Sequence, residues 1–149
     1  MAENLEYTYP GDELVAVADT ITLTVGTPAT GYGTDKLSNF YPDDPFKVES
    51  TTFRIVLDFG SAVAPKLAAV IHHNLVPGYD DLFLQGNATN VWTSPSFSQA
   101  FAAASYLGDD FPVNLSMDLR TTSPSYRYWS LAATTANSVN ISIGEFLLY

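Results

Sequence analysis

Few side chains in this sequence offer catalytic or metal-binding chemistry. The chain has 149 residues and no cysteine, which excludes a disulfide scaffold, a thiol nucleophile and a thiolate zinc site. Its two histidines, His72 and His73, are adjacent. Neighbouring residues of a strand point to opposite faces, so this pair cannot chelate one ion without a bend in the backbone. No Gly-x-Ser-x-Gly segment supports a serine hydrolase. We therefore expect that the protein is not an enzyme.

The remaining candidates for chemistry are three pairs of adjacent aspartates, at positions 43–44, 80–81 and 109–110. Glycoside hydrolysis needs two carboxyl groups about 5 to 9.5 Å apart across a cleft, and adjacency in sequence does not specify that geometry. Each pair lies beside Pro, Gly or Tyr, which is typical of exposed turns. Calcium binding is the alternative use of these carboxylates, because hard cations bind several carboxylate and carbonyl oxygens.

The charge of the chain excludes one class of partner. Sixteen acidic and six basic residues give a net charge of −10, which repels the phosphate backbone, so we expect no nucleic acid to bind. No apolar run approaches the roughly 18 residues of a membrane span, so we expect no membrane insertion. The first residues lack a basic segment followed by an apolar one, which predicts that there is no signal peptide.

The elements that would position any site are mainly strands. Alternation of apolar and polar residues, or a short apolar run, predicts strands at residues 21–25, 53–60, 67–75, 81–85, 115–119, 126–131 and 141–148. Gly144 interrupts the alternation in the last of these, where a bulge or a close backbone contact is expected. One short helix is predicted to begin at an N-cap, Ser94, and to end at Gly108. A turn over residues 121–125 predicts a hairpin between the strands on either side.

A chain of this length fits one domain. We assign residues 13–149 to a single β-sandwich domain with antiparallel sheets. Residues 1–12 are predicted to form an N-terminal arm, in which Leu5, Tyr7 and Tyr9 alternate with polar residues up to a Pro-Gly turn signal.

Four segments, taken in order, carry a resemblance to a known family. They are the loop that contains Leu37, Asp43 and Pro45, the strand at residues 53–60, the strand end Ala-Val-Ile-His-His-Asn-Leu at residues 69–75, and the pair of strands at residues 126–131 and 141–148. Together they resemble the discoidin-like, or galactose-binding-like, jelly roll in the form that occurs in virion proteins of tailed bacteriophages. The resemblance implies an all-β fold, an antiparallel β-sandwich of the jelly-roll type with one short helix.

The resemblance also implies a metal site. In sugar-binding relatives of this fold a structural calcium ion is held by an aspartate loop, a following serine or threonine, and a glutamate near the C-terminus. The matching positions here are Asp43, Thr51 and Glu145. No other cofactor is expected.

For function, the resemblance implies a non-catalytic structural component of a tailed-phage virion, associated with the tail or the capsid. Such a protein is made in the host cytoplasm, resides in the virion, and binds other virion proteins and copies of itself as a homo-oligomer. The alternative is a carbohydrate-binding module for host-surface adhesion, with host-surface glycans as ligands. In either case the predicted contact residues are loop aromatics and the arm: Leu5, Tyr7, Tyr9, Tyr32, Tyr41, Tyr79, Trp92 and Tyr106.

Overall fold

The structure, a computed structural model, describes residues 14–39, 41, 44–74, 82–101, 115–134 and 140–149. The predicted arm, Asp43, Tyr79 and Tyr106 lie outside these residues. The described strands are β1 (Thr20–Val25), β2 (Phe46–Val48), β3 (Phe53–Val63), β4 (Leu67–His73), β5 (Leu82–Asn87), β6 (Phe97–Ala100), β7 (Leu115–Asp118), β8 (Tyr126–Ala133) and β9 (Ile141–Leu148). Two 3₁₀ segments, Val15–Val17 and Thr34–Ser38, complete them. No helix in this part of the chain is long and apolar enough to cross a membrane.

The strands form two sheets. One has five strands in the order β1-β3-β8-β5-β6, and the other has four in the order β2-β9-β4-β7. Every paired strand is antiparallel to its neighbour. The apolar side chains of both sheets meet in one core. The predicted all-β antiparallel sandwich is therefore confirmed.

The central pair, β3 and β8, shows why the chain folds in this way. The period-two apolar positions Phe53, Ile55 and Leu57 are at most 1% exposed, and they lie opposite Ala133, Leu131 and Trp129 of β8. Trp129 is fully buried, with the rings of Phe97 and Tyr126 packed edge-on at centroid distances of 5.7 and 6.0 Å. Gly86, opposite Trp129, leaves room for this cluster, since a Cβ there would lie 2.6 Å from the Tyr126 ring.

The predicted interruption near Gly144 is present as a change in which residues of β9 face the core. On β9 the core positions are Ile141 and Ile143 and then Phe146 and Leu148, so the inward-facing set shifts by one residue. The register with β4 nevertheless continues without a shift. In β4 and β9, the alternation between core-facing and outward-facing residues must therefore shift by one residue at the same pair of positions.

The partner strand β4 changes face at the two histidines. His72 is exposed and has a φ of 52°, in the left-handed region, whereas His73 is buried. The side chains thus lie in different environments, as expected for neighbours on a strand. Asn74 joins the end of β4 to β9, because its Nδ2 donates to the Asn140 carbonyl at 2.7 Å and its Oδ1 accepts from the Ser142 amide at 2.8 Å.

Two local predictions are wrong. Residues 97–100, expected within the helix from Ser94 to Gly108, form β6, which pairs with β5 and carries Phe97 into contact with Trp129. Tertiary pairing here overrides the capping signal at Ser94; residues 102–108 lie outside the described part. The predicted hairpin is not formed either, because β7 belongs to the four-stranded sheet and β8 to the five-stranded one. The segment between them crosses from one sheet to the other.

A bidentate ion pair joins β3 and β8 near one end of the sheet. Arg127 donates from Nε and Nη2 to the two carboxylate oxygens of Asp58 at 2.7 and 2.9 Å. The Gly60 amide also donates to Asp58. These hydrogen bonds lower the pKa of Asp58 to about 2.

We expect Asp58→Asn to lower the melting temperature at pH 7 by a few degrees. The folded-state pKa lies below the unfolded value of about 3.9, so the stabilisation is present above that value and is lost as the pH falls towards 2. The difference between the variant and the natural chain should therefore shrink from pH 7 to pH 2 in thermal unfolding followed by circular dichroism.

Asp118→Asn is the matched control. The pKa of Asp118 is also lowered to about 2, by hydrogen bonds from Arg120. The partner is only two residues away, so the pair can persist in the unfolded chain and its loss should cost less. Equal losses in the two variants would contradict a cross-strand role for Asp58.

Candidate binding site on the outer face of the five-stranded sheet

Four polar side chains lie in a row across the five-stranded sheet, on the face turned away from the core. They are Arg54 on β3, Ser130 on β8, Gln85 on β5 and Ser98 on β6. The register places Ser130 opposite Gln85 and Gln85 opposite Ser98. Successive side chains of a strand point to opposite faces. Ile55, Leu84 and Leu131 point into the core, so their neighbours Arg54, Gln85 and Ser130 point outward.

Hydrogen bonds connect the row. The Nη1 group of Arg54 donates to Gln85 Oε1 at 2.6 Å and to Ser130 Oγ at 2.9 Å. Gln85 Nε2 in turn donates to Ser98 Oγ at 3.1 Å. The guanidinium thus orients the amide of Gln85, and four neighbouring strands share one polar network.

This face is less accessible than an ordinary solvent-facing surface. Ser130 and Ala132 have no exposed area, Val56 is 3% exposed and Gln85 is 8% exposed, although none of them belongs to the core between the sheets. A polar network in such surroundings is only weakly hydrated, so its electrostatic interactions are stronger than they would be in water.

Trp92 covers one side of the row. It lies in the loop of residues 88–96 between β5 and β6, and its ring centroid is 5.2 Å from the guanidinium carbon of Arg54. This distance is within the range of a cation–π interaction. The indole Nε1 donates to Asn90 Oδ1 at 2.7 Å, which fixes the edge of the ring. Trp92 itself is half-buried, so part of it faces solvent.

Asn87 holds the loop that carries Trp92. Its side chain is 8% exposed, and its Nδ2 donates to the Val91 carbonyl at 2.7 Å. Its Oδ1 accepts from the Ala88 amide at 3.0 Å and from Ser96 Oγ at 2.9 Å. One buried amide therefore fixes both ends and the middle of the loop.

The other predicted loop aromatics within the described residues lie elsewhere, near β2 of the four-stranded sheet. Tyr32 is half-buried with Lys47 Nζ 4.1 Å from its ring centroid. Tyr41 is 70% exposed, and its amide donates to Asn39 Oδ1 at 2.8 Å. Trp92 therefore lies beside β3 of the five-stranded sheet, whereas Tyr32 lies beside Lys47 of β2 in the four-stranded sheet.

Two members of the predicted calcium set, Thr51 and Glu145, lie within the described residues. Thr51 lies between β2 and β3 and is half-buried. Glu145 lies on β9 and is 3% exposed. Asp43 is outside the described residues, within which no cluster of three or more His, Asp or Glu side chains could hold a metal ion. The calcium set remains a prediction.

Sequence reasoning identified Trp92 but missed Arg54, Gln85 and Ser98. In the sequence Arg54 is an ordinary polar residue of an alternating strand, and nothing local marks it. What distinguishes Arg54 is its contact with Trp92 of the loop at residues 88–96. This contact joins residues far apart in the sequence, so no local pattern reveals it.

The fold is similar to that of several solved carbohydrate-binding modules. A fucose-binding module from Streptococcus pneumoniae is 11% identical, with a TM-score of 0.64, and the match covers 91% of this chain and 96% of that one. The lectin domain of lectinolysin, solved with the Lewis B antigen, is 12% identical with a TM-score of 0.66, covering 91% and 94%. CBM32-3 from a family 31 glycoside hydrolase of Clostridium perfringens is 11% identical with a TM-score of 0.66, covering 96% and 99%.

At such identities the likeness establishes the fold, an antiparallel sandwich of the galactose-binding-like type. No protein-family model and no curated protein matches the sequence.

We expect Asn87→Ala to destabilise the fold by about 1 to 3 kcal/mol, because it removes a buried hydrogen-bonding group. It should also accelerate amide hydrogen exchange of residues 88–96, which hydrogen exchange with mass spectrometry measures. Asn90→Ala is the matched control, since Asn90 is exposed and holds only the Trp92 edge. Unchanged exchange in Asn87→Ala would show that this residue does not hold the loop.

Proposed function

We propose that this protein is a non-catalytic carbohydrate-binding module that binds cell-surface glycans through the outer face of its five-stranded sheet. The observation that carries the proposal is Trp92, an aromatic ring held in a fixed orientation beside a polar network. The similar solved structures support it, because their names describe a fucose-binding module and a lectin domain in complex with the Lewis B antigen.

The chemistry of the face suits a sugar. A pyranose ring has an apolar face of C–H groups and a rim of hydroxyls, so it needs an aromatic plane flanked by hydrogen-bonding side chains. Trp92 supplies the plane. Asn90 and the guanidinium of Arg54 lie beside the ring, and the exposed Ser98 belongs to the same polar network as Arg54.

Rigidity supports the same role. The Trp92 ring is fixed by Asn90, and its loop by the buried Asn87. Binding that orders a mobile loop costs free energy. A ligand that stacks on an already fixed ring avoids this cost and binds more tightly. The face is therefore pre-organised for binding.

The structural role in a tailed-phage virion, with self-association and virion partners, remains a prediction from the motif resemblance. None of the similar structures named above is a virion protein. The two functions differ in an observable way, because a scaffold acts through protein–protein contacts and assembles as its concentration rises.

A glycan array followed by isothermal titration calorimetry with the best ligands tests the proposal. We expect binding in the natural chain and a loss of at least about tenfold in Trp92→Ala, on the order of the 1.4 kcal/mol that corresponds to a tenfold change. Tyr41→Ala is the control, since it removes an exposed loop aromatic near the other sheet, and it should leave affinity unchanged.

Loss in Tyr41→Ala with retention in Trp92→Ala would move the site to the surface near β2. Absence of glycan binding, together with concentration-dependent assembly in analytical ultracentrifugation, would overturn the proposal in favour of the structural role.

A further inference from the structure

The three arginines of the chain differ in what they bind. Arg127 offers its Nε and Nη2 groups to Asp58, at 2.7 and 2.9 Å. Arg120 offers the same two groups to Asp118, with its Nη2 contact at 2.7 Å. In both, the edge of the guanidinium formed by Nε and Nη2 faces a carboxylate, the geometry in which the planar group makes two parallel hydrogen bonds.

Arg54 does not follow this pattern. Only its Nη1 group donates within the described residues, and both acceptors, Gln85 and Ser130, are neutral. No carboxylate of the described residues lies within 4.0 Å of it, although the chain carries sixteen acidic side chains. The Nε and Nη2 edge of Arg54, which in Arg120 and Arg127 binds an aspartate, therefore binds no acceptor among the described residues; we call it the open edge.

Partial burial of the Arg54 charge without an anionic partner among the described residues costs the folded protein free energy. Arg54 is half-buried, and burial lowers the pKa of its guanidinium. Beside it Ser130 has no exposed area and Gln85 is 8% exposed, so water solvates the charge only in part. A cation held in this way gains more from an anionic partner than a fully hydrated one does.

The position of the open edge beside Trp92 indicates the chemical class of the ligand. The guanidinium carbon of Arg54 lies over one face of the Trp92 ring, 5.2 Å from its centroid. A sugar that stacks on the other face reaches the arginine through a substituent that extends past the edge of the indole. We infer that the ligand of this face is an acidic saccharide, whose ring stacks on Trp92 and whose carboxylate binds the Nε and Nη2 groups of Arg54. This inference rests on the proposed function and specifies its ligand class.

The net charge of −10 does not exclude an anionic ligand. Repulsion from the distant acidic groups is screened beyond about 8 Å at physiological ionic strength. The bidentate contact acts at hydrogen-bond distance in partly desolvated surroundings, where screening is weaker. The close contact therefore determines whether the carboxylate is bound.

The test compares acidic oligosaccharides with their neutral methyl esters, which keep the sugar rings and remove the charge. Sialyl-lactose and oligomers of galacturonic and glucuronic acid, each paired with its ester, are titrated into the natural chain by calorimetry. We expect at least one acid to bind about tenfold more tightly than its ester, as a charge-assisted pair of hydrogen bonds predicts. This comparison needs no variant, so a folding defect cannot obscure it.

Arg54→Gln should abolish the preference for the acid, so that acid and ester bind with equal affinity in this variant. The matched control is Arg127→Gln, which removes the same charge from a guanidinium already bound to Asp58, and it should keep the preference. Circular dichroism checks that both variants fold.

The possible failures are distinguishable. If esters bind as tightly as acids and binding still depends on Trp92, the ligand is a neutral glycan, so the inference is wrong and the proposed function stands. If no member of the panel binds and no neutral glycan of the array does, the proposed function itself is wrong. A preference for the acid that survives Arg54→Gln would place the carboxylate elsewhere and overturn the inference.

Discussion

The pairing of β3 with β8 is the constraint on which the rest of this structure depends. Its register fixes two surfaces at once. Leu57 lies opposite Trp129 on the core side, and Val56 lies opposite Ser130 on the outer side. Because side chains alternate along a strand, a slip of one residue would exchange the two surfaces and place Ser130 in the core. The apolar residues that stabilise the sandwich therefore also hold the polar row in place.

The outer face shows how a common fold acquires a specific surface. The strands alone would present a flat row of polar side chains. The loop at residues 88–96 brings Trp92 over Arg54, and the buried amide of Asn87 fixes that loop. The resulting site combines an aromatic plane, an oriented amide and a partly desolvated cation. Because the site lies on paired strands and a pinned loop, its geometry is determined before any ligand binds.

Much of the fold could be predicted from the sequence because its strands alternate strongly. Residues 53–60 and 126–131 each lie within strands that the structure describes. The segment at residues 97–100 could not be identified, because a serine-proline pair followed by apolar residues is equally compatible with a helix start. Its strand conformation comes from pairing with β5 and from the contact of Phe97 with Trp129, neither of which is local.

The site was predicted only in part, for a similar reason. Trp92 could be singled out because an aromatic residue among turn formers is a plausible surface contact. Arg54 could not, because the partners of its side chain, Gln85, Ser130 and Trp92, come from three other segments of the chain. A polar residue on an alternating strand has the same sequence pattern whether it faces water or a covered network. What distinguishes the two cases is whether another segment of the chain, here the loop at residues 88–96, packs on the outer face of the sheet.

The most direct measurement is an NMR titration that follows the two tryptophan indole N–H signals. Trp92 is half-buried on the outer face, whereas Trp129 is fully buried and donates to the Tyr126 carbonyl at 3.1 Å. Addition of a bound oligosaccharide should shift the Trp92 signal and leave the Trp129 signal in place. A saccharide that binds while the Trp92 signal does not move would contradict the assignment of this face as the binding site.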